Sequence, residues 1–386
     1  MLSGIDDEER RPATLRNLKR DRAVGKEVFA MRNQIGVAWI IAAVTVSCSL
    51  TAAHAQSHCG YFGLGPVPAG ISSLAVALNN GDQVVIGPSS TFSSDQFPGY
   101  VWDKGVMTAL GTLPGYTYVY PAAINNPGQI VGTLGNPACH GCPPPPRPAH
   151  AFLWENGIMS DLGTLEGDTT SAAVAISDSG DVAGSSAGDH GERAFLWQRG
   201  VMTALNPLAG DTISLATGVN NRGQIVGESI GVDGQPHALV WEPDGSVLQL
   251  APLPGDNRAY AFGINDRGQV VGYSWYFQFP NSGEPTAVVW TEGAITALGF
   301  VPGYPGSVGF AINNSGQVAG QLQSGSLPLL GFLWKEGAIT VLNPLPNRQL
   351  VPTYFAINDR GDVVLNLSSN TGTDTQAYLV TPCRGR

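Results

Sequence analysis

A tryptophan returns along this chain at Trp102, Trp154, Trp197, Trp241, Trp290 and Trp334, at spacings of 52, 43, 44, 49 and 44 residues. Val380 follows 46 residues later in a matching context, Ala377-Tyr378-Leu379-Val380. A second marker is an aliphatic residue followed by Asn and then Asn or Asp. It falls at Asn79, Asn125, Asn220, Asn265, Asn313 and Asn358, with Ser177 replacing Asn once. Both markers count seven units. Self-similarity at this period is the signature of a repeat architecture, in which each unit is one supersecondary piece that cannot bury its apolar faces alone.

One unit, residues 250–301, shows four strand signals. Ala259 to Ile264 is the first and Gln269 to Ser274 the second, separated by Asn265-Asp266-Arg267-Gly268. Asn and Gly tolerate positive φ, and Asn caps its own backbone, so this tetrapeptide reads as a turn. A variable loop leads to Thr286–Trp290. The tight turn Thr291-Glu292-Gly293 then leads to Ala294–Leu298, and the Pro302-Gly303 bend exits to the next unit. Four short strands without a helical period match one propeller blade. Gly (50) and Pro (28) make up about a fifth of the chain, while 43% of residues are apolar, which fits turn-rich β structure better than disorder. The expectation is an all-β, seven-bladed β-propeller of four-stranded antiparallel blades, with the recurring Trp as core between blades. The Asn-Asp-x-Gly sites lack the alternating carboxylates of a calcium loop, so they read as turns and no metal site is expected there.

The seventh unit stops after three strands, at Val380-Thr381-Pro382-Cys383. At the other end, Tyr61-Phe62-Gly63-Leu64-Gly65-Pro66-Val67 matches the fourth strand and exit bend of the other units. The last blade is therefore expected to be closed by the N-terminal strand, which removes a free sheet edge. Aligned on the second unit, Cys59 and Cys383 both fall at the place of Gly157, where the hairpin turn has been cut. A Cys59–Cys383 disulfide is expected to replace that turn. By the chain-entropy model it contributes roughly 4–5 kcal/mol at most. Cys139-His140-Gly141-Cys142 lies in a proline-rich insertion ending Pro143-Pro144-Pro145-Pro146. A c-type haem needs His directly after the second Cys, zinc needs ligands beyond His150, and a redox pair needs a helix start. A local Cys139–Cys142 disulfide is favoured over metal and redox roles, and no cofactor is expected.

Residues 1–30 are charged and irregular and read as an upstream over-call of the start or a cytoplasmic extension. From Met31-Arg32 an apolar run extends to Ala53-His54-Ala55, a small-x-small pattern before Gln56. Residues 31–55 thus read as a signal peptide, with an uncleaved anchor as the rival, and residues 56–386 as a single propeller domain. Export places the domain in the periplasm, at the cell surface or outside the cell, where thiols oxidise. The mature part carries 12 Lys/Arg against 24 Asp/Glu. That sign, with no basic cluster, disfavours nucleic acid. A monomer without stable membrane insertion is expected.

The units resemble the bacterial extracellular HAF repeat. The naming triplet stands as His150-Ala151-Phe152, followed by Leu153-Trp154, and is varied at Arg193-Ala194-Phe195, His237-Ala238-Leu239 and Gln376-Ala377-Tyr378. The family's leucine motif stands as Leu110-Gly111-Thr112-Leu113 and Leu162-Gly163-Thr164-Leu165. The resemblance spans about residues 60–382. It implies an exported repeat protein of uncharacterised function and supplies no catalytic residues. The first unit departs from the pattern, because Asn80-Gly81-Asp82 moves the turn glycine.

In a propeller the first-to-second and third-to-fourth turns share one face, here short and nearly constant. The second-to-third loops and fourth-to-first bends share the other, and these vary. Variable loops on a rigid scaffold are the usual place for binding. Two are aromatic: Tyr116, Tyr118 and Tyr120, and Trp275, Tyr276, Phe277 and Phe279. They are the candidate ligand-binding residues, for a cell-surface glycan or protein. The competing reading is that they cover their own loops. Asp168, Asp211 and Asp256 recur after the exit bends, as turn caps or a weak cation site. No Gly-x-Ser-x-Gly elbow or His-Glu-x-x-His occurs, and His150 and His237 sit at equivalent repeat positions as structural residues do. The sequence favours a binding or scaffold module, with a propeller hydrolase or lyase acting on extracellular polysaccharide or peptide as the alternative, and offers no catalytic residues. Edman sequencing of the exported protein is expected to read from Gln56. Peptide mapping without reductant is expected to join Cys59 to Cys383, and two free thiols would remove that closure.

Overall fold

The repeat unit folds into one antiparallel sheet. In blade five the four strands are Arg258–Ile264, Val270–Trp275, Thr286–Thr291 and Ala294–Ala297, hydrogen-bonded in chain order. Each lies within one residue of its expected bounds. The computed structural model describes residues 60–65, 73–88, 97–136, 148–189, 191–278, 282–342, 345–351, 355–369 and 375–381. These form six four-stranded sheets in sequence order and a seventh built from both ends of the chain. The inner strand of each blade touches that of the next, and the last touches the first, so the seven sheets close into a propeller. No helix occurs among the described residues, and thus none that could cross a membrane. The apolar run before Gln56, all four mature cysteines and Phe279 lie outside the described residues.

Two local devices make each blade. In blades one, two, three, five and six the third-to-fourth connection is a two-residue turn with both residues at positive φ, while blade four uses the longer turn from Glu242 to Ser246. Lys104, Asn156, Arg199, Glu292 and Glu336 have φ of 47 to 50°, and the glycine after each has φ of 81 to 90°. This is the hairpin geometry whose twist matches that of the flanking strands. The second device is a bulge in the inner strand, three residues before the marker Asn, seen as a register shift in the first six blades. The bulge presses the inner strand against the second one. A Cβ built on Gly132, Gly184, Gly227, Gly272 or Gly320 would lie 1.8–2.3 Å from an inner-strand carbonyl oxygen. Only glycine fits there. The glycine also makes room on the third strand, where Phe152, Phe195 and Phe332 pair with Gly132, Gly184 and Gly320 and are wholly buried.

The apolar clusters run between neighbouring blades. One joins Ala77, Val85 and Val101 of blade one to Val119, Ile130 and Phe152 of blade two. The recurring tryptophans belong to these clusters. Trp241 and Trp290 are 3% and 1% exposed, and their indole N–H groups donate to the carbonyls of Asn206 and Ala251 on the preceding exit bends. Each fixes a blade to its neighbour by burial and by a bond. In blades three, four and six a buried serine adds a second clip. Ser171, Ser214 and Ser307 each accept the N–H of a third-strand alanine of the preceding blade and donate to a carbonyl at the end of its fourth strand.

The seam between blades seven and one is built differently. Gly60–Gly63 pairs antiparallel with Thr375–Thr381, Gly60 opposite Thr381 and Gly63 opposite Tyr378. The N-terminal strand is the outer strand of the last blade, as expected. Asn366, fully buried, accepts the N–H of Ala75 and donates to its carbonyl, both at 2.8 Å. One side-chain amide thus stands in for a strand neighbour. Asp82 occupies the position of the turn glycine at φ 62°, and its carboxylate receives Arg360 and Asn358 of blade seven. The displaced glycine of the first unit is the consequence of this ion pair. Asn366→Ala leaves two buried backbone groups without partners and is expected to cost roughly 2–4 kcal/mol. Denaturant unfolding measures it, and an unchanged midpoint would assign the seam to strand pairing alone.

Candidate functional site

The marker motif builds a polar ring around the axis. The side-chain oxygen of each marker Asn accepts N–H groups within its own turn, for example from Arg267 and Gln269 to Asn265. In blades one, two, four, five and six its amide donates to the Gln four residues on and to the backbone carbonyl of the next blade's marker residue, whereas Asn358 donates to Asp362 and Asp82 and, at 3.5 Å, to the Asn79 carbonyl. The second contact runs from Asn79 to Asn125, Asn125 to Ser177, Asn220 to Asn265, Asn265 to Asn313 and Asn313 to Asn358, at 2.9–3.0 Å. Ser177 is too short to make it, so the link from blade three to blade four is missing. The Gln extends the connection outward. Gln83, Gln129 and Gln224 donate to Asp103, Glu155 and Glu242 at the ends of the third strands.

The next residue forms a second ring. The backbone N–H of Asn80 donates to the Asn126 side chain, then Asn126 to Asp178, Asp178 to Asn221, Asn221 to Asp266, Asp266 to Asn314, Asn314 to Asp359, and Asp359 back to Asn80, at 2.6–2.9 Å. Seven bonds run in one direction and close on themselves. Asp Oδ2 atoms take the Asn amides on both sides: Asp266 receives Asn221 and Asn314, Asp178 receives Asn126 and Asn221, and Asp359 receives Asn314 and Asn80. Donor and acceptor side chains alternate. Seven is odd, so alternation must fail once, and it fails where Asn80 meets Asn126. Above a floor of the aliphatic residues that precede the marker, the two rings enclose a cup of about 210 Å³. Its carboxylates are taken up by ring donors, and among the described residues no group of three metal-ligating side chains occurs. The chemistry of this cup is directed at holding the blades together.

The aromatic candidates divide. Tyr116 and Tyr118 are 6% and 5% exposed and belong to the core. Tyr118 stacks on Tyr120 at 5.8 Å, and Tyr120 reaches the surface at 39% exposure. Burial, and then the Tyr118 hydroxyl, raise the Tyr120 hydroxyl above its usual range. Trp275 donates its N–H to Gly283 and packs on Phe277, which lies under the Arg258 guanidinium at 4.0 Å. Asn257 holds both backbone groups of Phe277. Tyr276, next to these, is exposed, with its hydroxyl on Gln278. Most of these rings hold their own loops, and Tyr120 and Tyr276 present surface.

Asp168, Asp211 and Asp256 cap exit bends through their backbone N–H. Their side chains bond inward, Asp168 to Arg193, Asp211 to His237 and Ser229, and Asp256 to Ser274. His150 pairs likewise with Asp161. The Asn-Asp-x-Gly sites are turns, as their sequence implies, but the two rings they build carry no local signal, because those bonds join residues 43–52 apart, or 279 across the seam. Three exposed apolar residues on the variable loops are not among those candidates: Val232, Phe300 and Leu327 stand 80%, 66% and 46% exposed. The signal for Phe300 was present. Its position in the exit bend holds Thr112, Thr164, Pro207, Pro252, Pro344 and Pro66 in the other units.

No family model and no curated protein matches this sequence. Among solved structures, virginiamycin B lyase from Staphylococcus aureus is similar with a TM-score of 0.52 and 11% identity, over 84% of this chain and 99% of that one. The β-propeller domain of the Trilobed protease from Pyrococcus furiosus, which has an open velcro topology, also gives 0.52 at 11% identity, over 80% and 95%. TolB from Acinetobacter baumannii gives 0.43 at 13% identity, and this chain spans 64% of its length. At such identities the first two likenesses show the propeller fold alone. Ser177→Asn is expected to supply the missing link to the Asn220 carbonyl and stabilise the ring by about 0.5–1.5 kcal/mol. A thermal midpoint that falls instead would show that the serine is required in its own turn.

Proposed function

We propose that this chain is an exported binding or scaffold module of the HAF-repeat kind, which engages a cell-surface glycan or protein through its variable loop face. The observation that carries this reading is where large apolar side chains reach solvent. Val106, Ile158 and Val201 are exposed at one repeat position, the start of the outer strand, and Phe62 and Leu248 lie on outer strands too. That exposure follows from the blade itself. Val232, Tyr276, Phe300 and Leu327 follow no repeat position and lie on variable loops of the adjacent blades four, five and six. Exposed apolar residues grouped on one face of a rigid domain mark an interaction surface. Asp168, Asp211 and Asp256, the carboxylates that recur after the exit bends, are engaged in bend and side-chain bonds, which supports binding over turnover.

A glycan array and a panel of polysaccharide and peptide substrates, run on residues 56–386, test this. Binding without turnover is expected, with at least a tenfold loss on Tyr276→Ser or Leu327→Ser. Turnover abolished by changing one carboxylate would replace the reading with an enzymatic one.

A further inference from the structure

The variable face is also distinguished by charge. The described Lys and Arg residues divide by face. Lys104, Arg199 and Lys335 sit at third-to-fourth turns, and Arg222, Arg267 and Arg360 at first-to-second turns, all on the constant face. Three arginines lie toward the variable face, and each is engaged by its own neighbours. Arg193 pairs with Asp168, Arg258 lies on Phe277 and bonds Gln235, and Arg348 bonds Gln376. Glu166, Asp189, Asp233 and Glu284 are exposed on the same side, and none of them forms an ion pair among the described residues. Among the described residues, the unpaired charge of the variable face is negative.

Phe300, Tyr304 and Leu327 lie with Glu284 at the junction of blades five and six, and Val232 and Asp233 lie on the neighbouring loop of blade four. Phe300 stands on the exit bend. Leu327 lies over the same bend, its side chain 3.6 Å from where a Cβ on Gly303 would be, and the Tyr304 hydroxyl donates to the Pro328 carbonyl. The Glu284 carboxylate sits beside Gly306, where the next inner strand begins, and Pro285 accepts the N–H of Ser307. On the other side, Arg258 links this loop to the one carrying Val232 and Asp233. The repeat supplies its own control. The other six units carry Thr or Pro at this position, and Thr112 and Thr164 bond across the bend to the carbonyls of Tyr116 and Asp168. Phe300 does neither and is 66% exposed. Folding does not account for it.

We propose that this junction is a docking site for a protein segment that places a bulky apolar side chain on Phe300, Tyr304 and Leu327 and flanks it with Lys or Arg facing Glu284 and Asp233. The proposal rests on the binding-module reading above and names its partner class. Buried apolar anchors carry most of the affinity at such sites, while complementary charge at the rim governs encounter and salt sensitivity.

A phage-displayed random peptide library panned on residues 56–386, with counter-selection on Phe300→Thr, tests it. The variant carries a residue that the same bend already accommodates twice, and its thermal midpoint is checked against the parent. The expected result is enrichment of peptides that pair a Leu, Phe or Trp with Lys or Arg. Their binding should weaken tenfold or more on Phe300→Thr and on Leu327→Ser, weaken between 50 and 300 mM salt, and stay unchanged on Phe62→Thr. Acidic or uncharged peptides, or equal binding to Phe300→Thr and parent, overturn the proposal. A glycan-array signal lost on Phe300→Thr assigns the junction to sugar, which overturns this proposal and leaves the binding-module reading standing. No binding of peptide or glycan overturns both.

Discussion

A single bond repeated seven times organises this molecule: a backbone N–H at the tip of one blade donates to the Asn or Asp side chain of the next. A blade is a small, strongly twisted sheet with two apolar faces and cannot stand alone. Apolar packing brings neighbouring blades together without specifying direction. The axial bonds add direction, because each turn presents one donor to one side and one acceptor to the other. Bonds ordered in this way also polarise one another. A circle of such bonds is complete only when the last blade meets the first, so the ring rewards closure itself.

The departures from repetition follow from that closed circle. Seven positions cannot alternate between amide and carboxylate, and the mismatch between Asn80 and Asn126 is a matter of number. The seam must join segments from opposite ends of the chain, and it does so with the Asn366 amide, which pairs with Ala75 across the blade boundary as a strand neighbour would, and with the Asp82–Arg360 pair in place of a turn glycine. The blade most dependent on distant contacts is thus the one whose sequence departs most from the unit.

The same logic separates structure from function on the surface. Positions that repeat report what a blade needs: glycine under the bulge, Asn at the turn, an aliphatic residue at the start of the outer strand. Positions that break the pattern, with no bond or packing to explain them, are free for another use. Phe300 is the clearest of these. Tyr116 and Tyr118, conspicuous as an aromatic run, are core residues, and Trp275 and Phe277 mainly brace their own loop.

The blade count, the strand boundaries of the unit at residues 250–301 and the closure of the last blade by a strand from residues 59–67 were legible from the chain, because a hairpin blade is a local object. Its turn chemistry and strand alternation lie within a few residues of each other. The seven-unit count also implied the ring, since identical units need identical neighbours. What the markers do was decided only by the tertiary structure. An Asn read in isolation is a turn former; its second role, as donor to a carbonyl 45–52 residues away, exists only once two blades stand side by side. Surface and charge followed the same rule. Which of eleven tyrosines is buried, and which arginines have their charge met, depends on contacts between loops whose spacing along the chain carries no signal.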